Sequence, residues 1–392
     1  MGSLARARDV TVETVLIAAF SGRALAASAR RAGFHPFVVD CFGDEDTRAA
    51  AAATRCLPAR VQTGFKSKPL IEALEQLAAE ARPPPIGLVL GSGLECNPRL
   101  VARLAERFRL IGNSPDVIRR TKDPRTFFAA LDRLRIAHPE TRLEPPASPT
   151  GWLMKRIGGS GGLHIVECPP SPRPDPRRYF QRRIPGEAMS VLGVIAKRGS
   201  AFAVSRQWTS PRPRRPYRYG GAAGAVGLEA ALQAGVLQAC LSLSQELGLV
   251  GLVSFDLLVA GGEASLLEAN PRPGATLDVF DDARGSLFRA HVEACRGHDG
   301  ASLLKSDWRP PAARAVAFLY ADRGRLEIED MPWPDWAADR PRAGSRIDRH
   351  QPVATVLADG ATAGEAEHLC RNRLGLLDNM LYEGEKGKGT PR

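Results

Sequence analysis

A strand, a turn and a helix followed by a second strand constrain the start of this chain. Val15-Leu-Ile-Ala-Ala19 is a short apolar run suited to a buried parallel strand. The polar turn Ser21-Gly22-Arg23 follows. Leu25 to Ala32 then reads as a helix, closed by Gly33 at the position after its C-cap. Phe37-Val-Val-Asp40 is the second strand. A β-α-β unit predicts an open parallel sheet with a ligand crevice at the strand C-termini. The turn is not G-x-G-x-x-G, which speaks against a dinucleotide site. Asp40 is accordingly expected to cap a strand end or to contact Asp44-Glu45-Asp46.

Ile86 to Leu90 continues the sheet and runs into Gly91-Ser-Gly-Leu-Glu95, a glycine turn carrying one carboxylate. Helices are predicted at Pro69 to Arg82 and Pro98 to Phe108, and a further strand at Arg109 to Gly112. Asp116 to Ile136 reads as helical, with Pro124 near a helix start. Trp152 to Ile157 is a strand entering Gly158-Gly-Ser-Gly-Gly162, and Leu163 to Glu167 leaves that loop as another strand. Because the loop joins strand to strand, it is not a Walker phosphate loop. Tyr179 to Ile184 and Ala188 to Ala196 are strands split by Pro185-Gly186. Pro211 to Tyr219 is a basic loop, and Leu228 to Leu247 a long helix ending at Gly248. Gly251 to Val259 and Ala264 to Ala269 form a hairpin about Gly261-Gly262. Beyond about residue 301, strands are expected at Ala313 to Tyr320, Arg325 to Glu329 and Val353 to Ala358. A helix from Ala363 to Leu374 and a disordered tail from Glu383 to Arg392 follow.

Composition narrows the classes of function. The chain has 392 residues, so two to three domains are expected. Its net charge of +11 leaves three partners open: nucleic acid, an anionic membrane, or acidic small molecules. The excess is carried by 46 Arg against 8 Lys, a bias that looks genomic. No zinc, helix-turn-helix or aromatic-interleaved RNA-binding pattern supports nucleic acid. No run approaches the ~18 apolar residues of a membrane span, so no membrane association is expected. Seven Cys without a C-x-x-C suggest free thiols in a cytoplasmic protein.

The chemistry-bearing residues fall in one order. Lys122 sits in a helical segment. Lys155 stands on a strand just before the glycine run, whose backbone N–H groups can approach phosphate oxygens because no Cβ obstructs them. In Glu268-Ala-Asn270 the two polar side chains share one strand face, and Asp256 on the hairpin partner can join them. Two carboxylates and an amide oxygen suit a hard cation such as Mg²⁺. Arg272 would lie beside them, placed to contact a phosphoryl oxygen or a carboxylate.

This order, with Gln181 to Glu187 between the glycine loop and the hairpin, resembles the ATP-grasp superfamily over about residues 12 to 300. Ser254-Phe-Asp256 with Leu266-Leu-Glu-Ala-Asn-Pro-Arg272 carries the most specific part. The nearest group is that of the predicted ATP-dependent carboligases. The resemblance implies an α/β chain: an open parallel pre-ATP-grasp domain at 1–115, an ATP-grasp domain with a glycine-rich lid at 116–300, and a small β-rich C-terminal domain at 301–392. It implies Lys122 and Lys155 as phosphate contacts, and Gly158, Gly159, Ser160, Gly161 and Gly162 as the lid. It also implies an adenine hinge of Gln181, Arg182 and Ile184, with Glu187 on the ribose. Asp256, Glu268 and Asn270 would be the metal ligands, and Lys155 and Arg272 the catalytic cations. ATP and Mg²⁺ are the implied cofactors. A small acid and an amine (or thiol) are the implied substrates, joined through an acyl phosphate with release of ADP. A carboxylase or kinase on the same fold is the alternative, and a non-catalytic nucleotide-binding protein a further one. His164 lies near the lid, where it reads as a surface residue or a phosphate contact. Homodimers occur among relatives, but no dimer surface is legible in the sequence.

Overall fold

The computed structural model describes residues 12–60, 63–197, 199–299, 302–304 and 313–383. Its N-terminal sheet has four parallel strands in the order Ala53–Cys56, His35–Asp40, Thr14–Ala18, Pro85–Leu90. The chain leaves the Thr14–Ala18 strand in one direction and returns on its other side at Pro85–Leu90. That reversal opens a crevice beyond the strand C-termini. Thr14–Ala18 is buried throughout, as a strand covered on both faces must be. Helix Arg23–Arg31 buries Leu25, Ala26 and Ala29 on one side, and Gly33, with φ 83°, turns the chain into the next strand. Helix Ser67–Glu80 does the same with Leu70, Ile71, Leu74 and Leu77, an i, i+1, i+4, i+7 face. Residues 109–112, expected as a strand, contribute a single parallel bridge from Leu110 to Leu88.

A second, antiparallel sheet of four strands runs Thr141–Arg142, Arg178–Arg182, Trp152–Arg156, Val166–Glu167. The glycine loop joins its last two members. Leu163 to Ile165, expected as strand, belong to the turn instead. The helical stretch before this sheet is broken at Asp123. That residue ends helix Pro115–Lys122 and caps helix Pro124–Leu134, where Pro124 takes the position that needs no N–H donor.

The third sheet has eight strands, all paired antiparallel. Its order is Glu263–Asn270, Gly251–Ala260, Glu187–Ile195, Ala201–Thr209, Tyr219–Gly224, Ala313–Tyr320, Pro352–Gly360, Ala337–Ala338. Three of these strands, Ala201–Thr209, Tyr219–Gly224 and the two-residue Ala337–Ala338, escape the sequence reading. Tyr219–Gly224 pairs with Ala313–Tyr320, so the hydrogen-bond ladder crosses residue 300 without interruption. Helix Ala230–Leu247 packs on the sheet through Val236, Cys240, Leu243 and Leu247. Helix Ala363–Glu383 covers the C-terminal strands and runs nine residues past its expected end at Leu374. The tail expected to be disordered falls almost wholly outside the described residues. Among the described residues all seven cysteines are free, and no helix is long and apolar enough to cross a membrane.

Candidate active site

The Gly251–Ala260 and Glu263–Asn270 strands pair so that Asp256 faces Glu268 and Ser254 faces Asn270. Asn270 Nδ2 donates to Asp256 Oδ2 at 3.1 Å and to Glu268 Oε1 at 3.3 Å, so the three side chains converge. Two half-buried acids this close cannot both ionise easily. Burial, then Glu268, push the Asp256 carboxyl up. For Glu268 burial acts in the same direction, but Lys122, His164 and Lys155 outweigh it and hold the carboxylate down. Gln207, on a strand the sequence did not reveal, donates to Asp256 Oδ1 at 3.2 Å.

Lys122 is the last residue of helix Pro115–Lys122, and its Nζ donates to Asn270 Oδ1 at 2.7 Å and lies 4.0 Å from Glu268. Lys155 projects from the Trp152–Arg156 strand and is 4% exposed. Its Nζ donates to Gln181 Oε1 at 2.5 Å. Burial lowers its pKa, and Glu268 and Asp256 oppose that shift. The two lysines thus reach the acidic face from a helix end on one side and from the lid sheet on the other. Asp256 and Glu268 turn carboxylate oxygens toward each other with the Asn270 amide nitrogen between them and the Asn270 oxygen on Lys122, and the repulsion between the two carboxylates is what a divalent cation would relieve. This donor set fits Mg²⁺.

The lid is pinned at both ends. A Cβ at Gly158 would sit 2.9 Å from the Cys96 backbone, and one at Gly162 would sit 1.7 Å from the Tyr217 carbonyl oxygen. Gly161 accepts a hydrogen bond from the Tyr219 N–H at 3.0 Å, so the lid tip rests on the Pro211–Tyr219 loop. Gly159 lies beneath the His164 ring, and Ser160 lies between Gly159 and Gly161 in the loop, half-buried. His164 Nδ1 is buried without a hydrogen-bond partner. Burial lowers the His164 pKa to about 4 against the pull of Glu268, keeping the ring neutral.

Residues of the hinge segment already have partners within the protein. Gln181 is 1% exposed, and its amide is taken by Lys155 on one side and by Thr141 Oγ1, at 3.3 Å, on the other. The Arg182 N–H donates to the Glu140 carbonyl at 2.7 Å, while its guanidinium covers Trp152 with the ring centroid 5.6 Å away. Ile184 is half-exposed, and Glu187 is exposed at the start of its strand.

Arg272 does not stand free beside the acids. Its Nε donates to Glu95 Oε1 at 2.6 Å. Glu95 is buried, and it also accepts the N–H groups of Gly93 and Leu94 at 2.8 and 3.0 Å. Burial raises the Glu95 pKa, but Arg272 and Lys122 outweigh it, so the group stays ionised. Asn113 fixes the strand exit above Arg272, donating to the Pro271 and Val250 carbonyls and accepting from the Val250 N–H. The glycine turn at 91–95 was legible as a carboxylate on a sheet end. Its partner, 177 residues away, was not. One cavity is lined by Glu95, Asn113 and Arg272, and a second by Lys122, Arg156, Gly158, Gly159, Tyr179 and Glu268.

Residues 121–276 match a family model described as an ATP-grasp domain. No curated protein matches the chain. Solved structures share its fold over nearly the whole length. An ATP-analogue complex of biotin carboxylase from Campylobacter jejuni is 13% identical, with TM-score 0.65, covering 91% of this chain and 89% of that one. N5-carboxyaminoimidazole ribonucleotide synthetase from Thermotoga maritima is 13% identical, with TM-score 0.63 and coverages of 93% and 98%. L-amino acid ligase from Bacillus licheniformis is 13% identical, with TM-score 0.65 and coverages of 92% and 96%. At such identities the likeness is one of fold.

Proposed function

We propose, from the match of residues 121–276 to a family model described as an ATP-grasp domain, that the chain is an ATP- and Mg²⁺-dependent carboxylate–amine ligase that releases ADP and phosphate. The observation that carries this reading is the convergence of Asp256, Glu268 and Asn270 with Lys122, opposite Lys155 and beneath a glycine loop. Two of the structures sharing the fold are named as ligases, an L-amino acid ligase and a phosphoribosylamine–glycine ligase.

In this reading a substrate carboxylate oxygen attacks the γ-phosphorus of ATP. A P–O bond forms to the carboxylate, the bond to the β-phosphate oxygen breaks, and ADP leaves. Lys122, Lys155 and the lid amides offset the charge that develops on the phosphoryl oxygens. Asp256, Glu268 and Asn270 would hold Mg²⁺, which when bound would supply positive charge against the developing phosphoryl charge. A neutral amine nitrogen then bonds to the acyl carbon, the C–O bond to phosphate breaks, and the nitrogen loses a proton as the amide forms. Arg272, oriented by Glu95, is placed to steady the acyl phosphate. The lid latched on Tyr219 excludes water, which would otherwise hydrolyse that intermediate. Lys155 with Gln181, Arg182, Ile184 and Glu187 would frame the nucleotide. The three-part division at residues 115 and 300 is part of the same proposal, as is a cytoplasmic location.

The test is product analysis with pools of acids, amines and bicarbonate in the presence of ATP and Mg²⁺. ADP and phosphate released only with an acid–amine pair supports ligation. AMP as product, or release driven by bicarbonate alone, overturns it. Glu268→Gln removes a charged ligand but keeps the shape. Turnover should fall by a factor on the order of 10³ with the melting temperature nearly unchanged, as for loss of a group acting on developing charge.

A further inference from the structure

A second charged group lies at the strand ends of the N-terminal sheet, and the reaction above does not use it. Arg23 donates to both carboxylate oxygens of Asp278 at 2.6 Å and to Asp339 Oδ2 at 2.9 Å. Asp339 also accepts from the Ser21 hydroxyl at 2.7 Å. Asp46 accepts the N–H groups of Asp339 and Arg340 at 2.8 and 3.0 Å. Asp40 accepts the N–H groups of Gly22 and Gly43 at 3.3 and 2.9 Å. Asp44 precedes helix Glu45–Ala50 at its N-cap position yet makes no capping bond. Five carboxylates thus gather around one guanidinium.

Two buried atoms in this group are unsatisfied. Asp44 is 4% exposed and its Oδ2 has no hydrogen-bond partner. Arg23 is 7% exposed and its Nε has none either, the nearest carboxylate oxygen, of Asp46, lying 3.9 Å away. An unpartnered buried carboxylate oxygen costs free energy unless something supplies a donor. The group is not sealed, since the side chains of Asp46, Asp278 and Asp339 keep 16–17% of their surface open. It sits where an open α/β sheet binds ligands. It also adjoins the reaction face: the Tyr219 phenol, whose oxygen has no hydrogen-bond partner, is raised by burial and then by Asp256, with Asp278 adding to the shift.

We propose that this crevice binds the amine substrate by a second, non-reacting cationic group, so that the nucleophile is a diamine or an amine of similar double charge. The proposal rests on the ligase reading. The attacking nitrogen must be neutral to bond to the acyl carbon, so a separate positive group is what five carboxylates would hold. A metal ion suits the crevice less well. Among the described residues no three His, Cys, Asp or Glu side chains are grouped so as to hold one, whereas an ammonium donates along three directions and bridges acceptors set further apart.

Calorimetry on the full chain without ATP tests this. The probes are 1,4-diaminobutane, 1,6-diaminohexane and butylamine, and MgATP is titrated separately. At least one diamine should bind about ten-fold or more tighter than butylamine, a difference of about 1.4 kcal/mol. Heats that vary with buffer should show proton release, because Asp44 must ionise to pair. Asp44→Asn should weaken the diamine about ten-fold and leave MgATP affinity unchanged, and Asp46→Asn, which keeps an acceptor for the backbone, should act likewise. Equal affinity for diamine and monoamine, no diamine binding at about 10 mM, or indifference to both substitutions would overturn the proposal. Failure of the ligase reading shows elsewhere, as no acid-dependent ADP release by the wild-type chain.

Discussion

Arg272 and Glu95 show what a motif contains and what it omits. The spacing E-x-N-x-R places Arg272 beside the acids, because alternate residues share a strand face. Nothing in that spacing gives the buried acid that aims it. Glu95 lies in the turn that follows the Pro85–Leu90 strand of the N-terminal sheet, and the ion pair closes only once that sheet and the hairpin are docked. Lys155 and Gln181 repeat the lesson, since their bond depends on the register that sets Tyr179 opposite Lys155. A consequence can be measured. Glu95→Ala leaves the Arg272 guanidinium, with 12% of its side chain exposed, without its counter-charge. Loss of one partner of a buried pair costs about 3–5 kcal/mol. The double variant Glu95→Ala/Arg272→Ala should be less destabilised than the sum of the single changes, by about 1–3 kcal/mol in denaturant unfolding. Strict additivity would show the two side chains to be uncoupled.

At the scale of elements, the strands of the hairpin and the first β-α-β unit were legible because their apolar stretches flank turns that carry glycine. Ala201–Thr209 and Tyr219–Gly224 were not. Their sequences, AFAVSRQWT and YGGAAG, lack a clean period-two pattern, because several of their small or polar residues are buried within the sheet. The missed Tyr219–Gly224 strand matters to the lid, since its first N–H holds the lid tip. Gly162→Ala would set a Cβ against the Tyr217 carbonyl at a φ of 71°. Gly161→Ala meets nothing within 4 Å and bears only the strain of its φ of 66°, about 1 kcal/mol. The Gly162 variant should therefore raise the KM for ATP about ten-fold or more, with its melting temperature within a few degrees of wild type. The Gly161 variant should change KM about two- to three-fold at most. Equal effects of the two would separate the lid from the Tyr217 contact.

Across the whole molecule, Arg23 and the carboxylates around it tie the N-terminal sheet to Asp278 and to Asp339, 255 and 316 residues further on. Contacts of that separation have no local signature, so nothing in Ser21-Gly22-Arg23 pointed to Asp278 or Asp339. Their charge balance gives a pH dependence of defined sign. Burial, then Asp339, Asp40 and Asp46, raise Asp44 to about 8 against the opposing pull of Arg23. Burial raises Asp40 to about 6, against the N–H groups of Gly43 and Gly22. Arg48, bonded to the Gly43 carbonyl, and the Cys56 thiol flank the same corner. A carboxyl whose folded pKa exceeds its unfolded value binds more protons in the native state, so stability falls as pH rises between the two. The window runs from about 4, the unfolded value, through 6 for Asp40 and on to 8 for Asp44. Above pH 6.5, the upper end of the range in which His164 and His291, lowered to about 4 by burial, pull the other way, the unfolding free energy should decline to pH 8, at a slope approaching about 1.4 kcal/mol per unit for each group still protonated. Asp44→Asn mimics the protonated form, so the margin by which it exceeds the wild type should widen by at least about 1 kcal/mol from pH 5 to pH 8. Urea unfolding of both chains at the two pH values decides the matter, and a margin no wider at pH 8 than at pH 5 would mean that Asp44 ionises in the native crevice without cost.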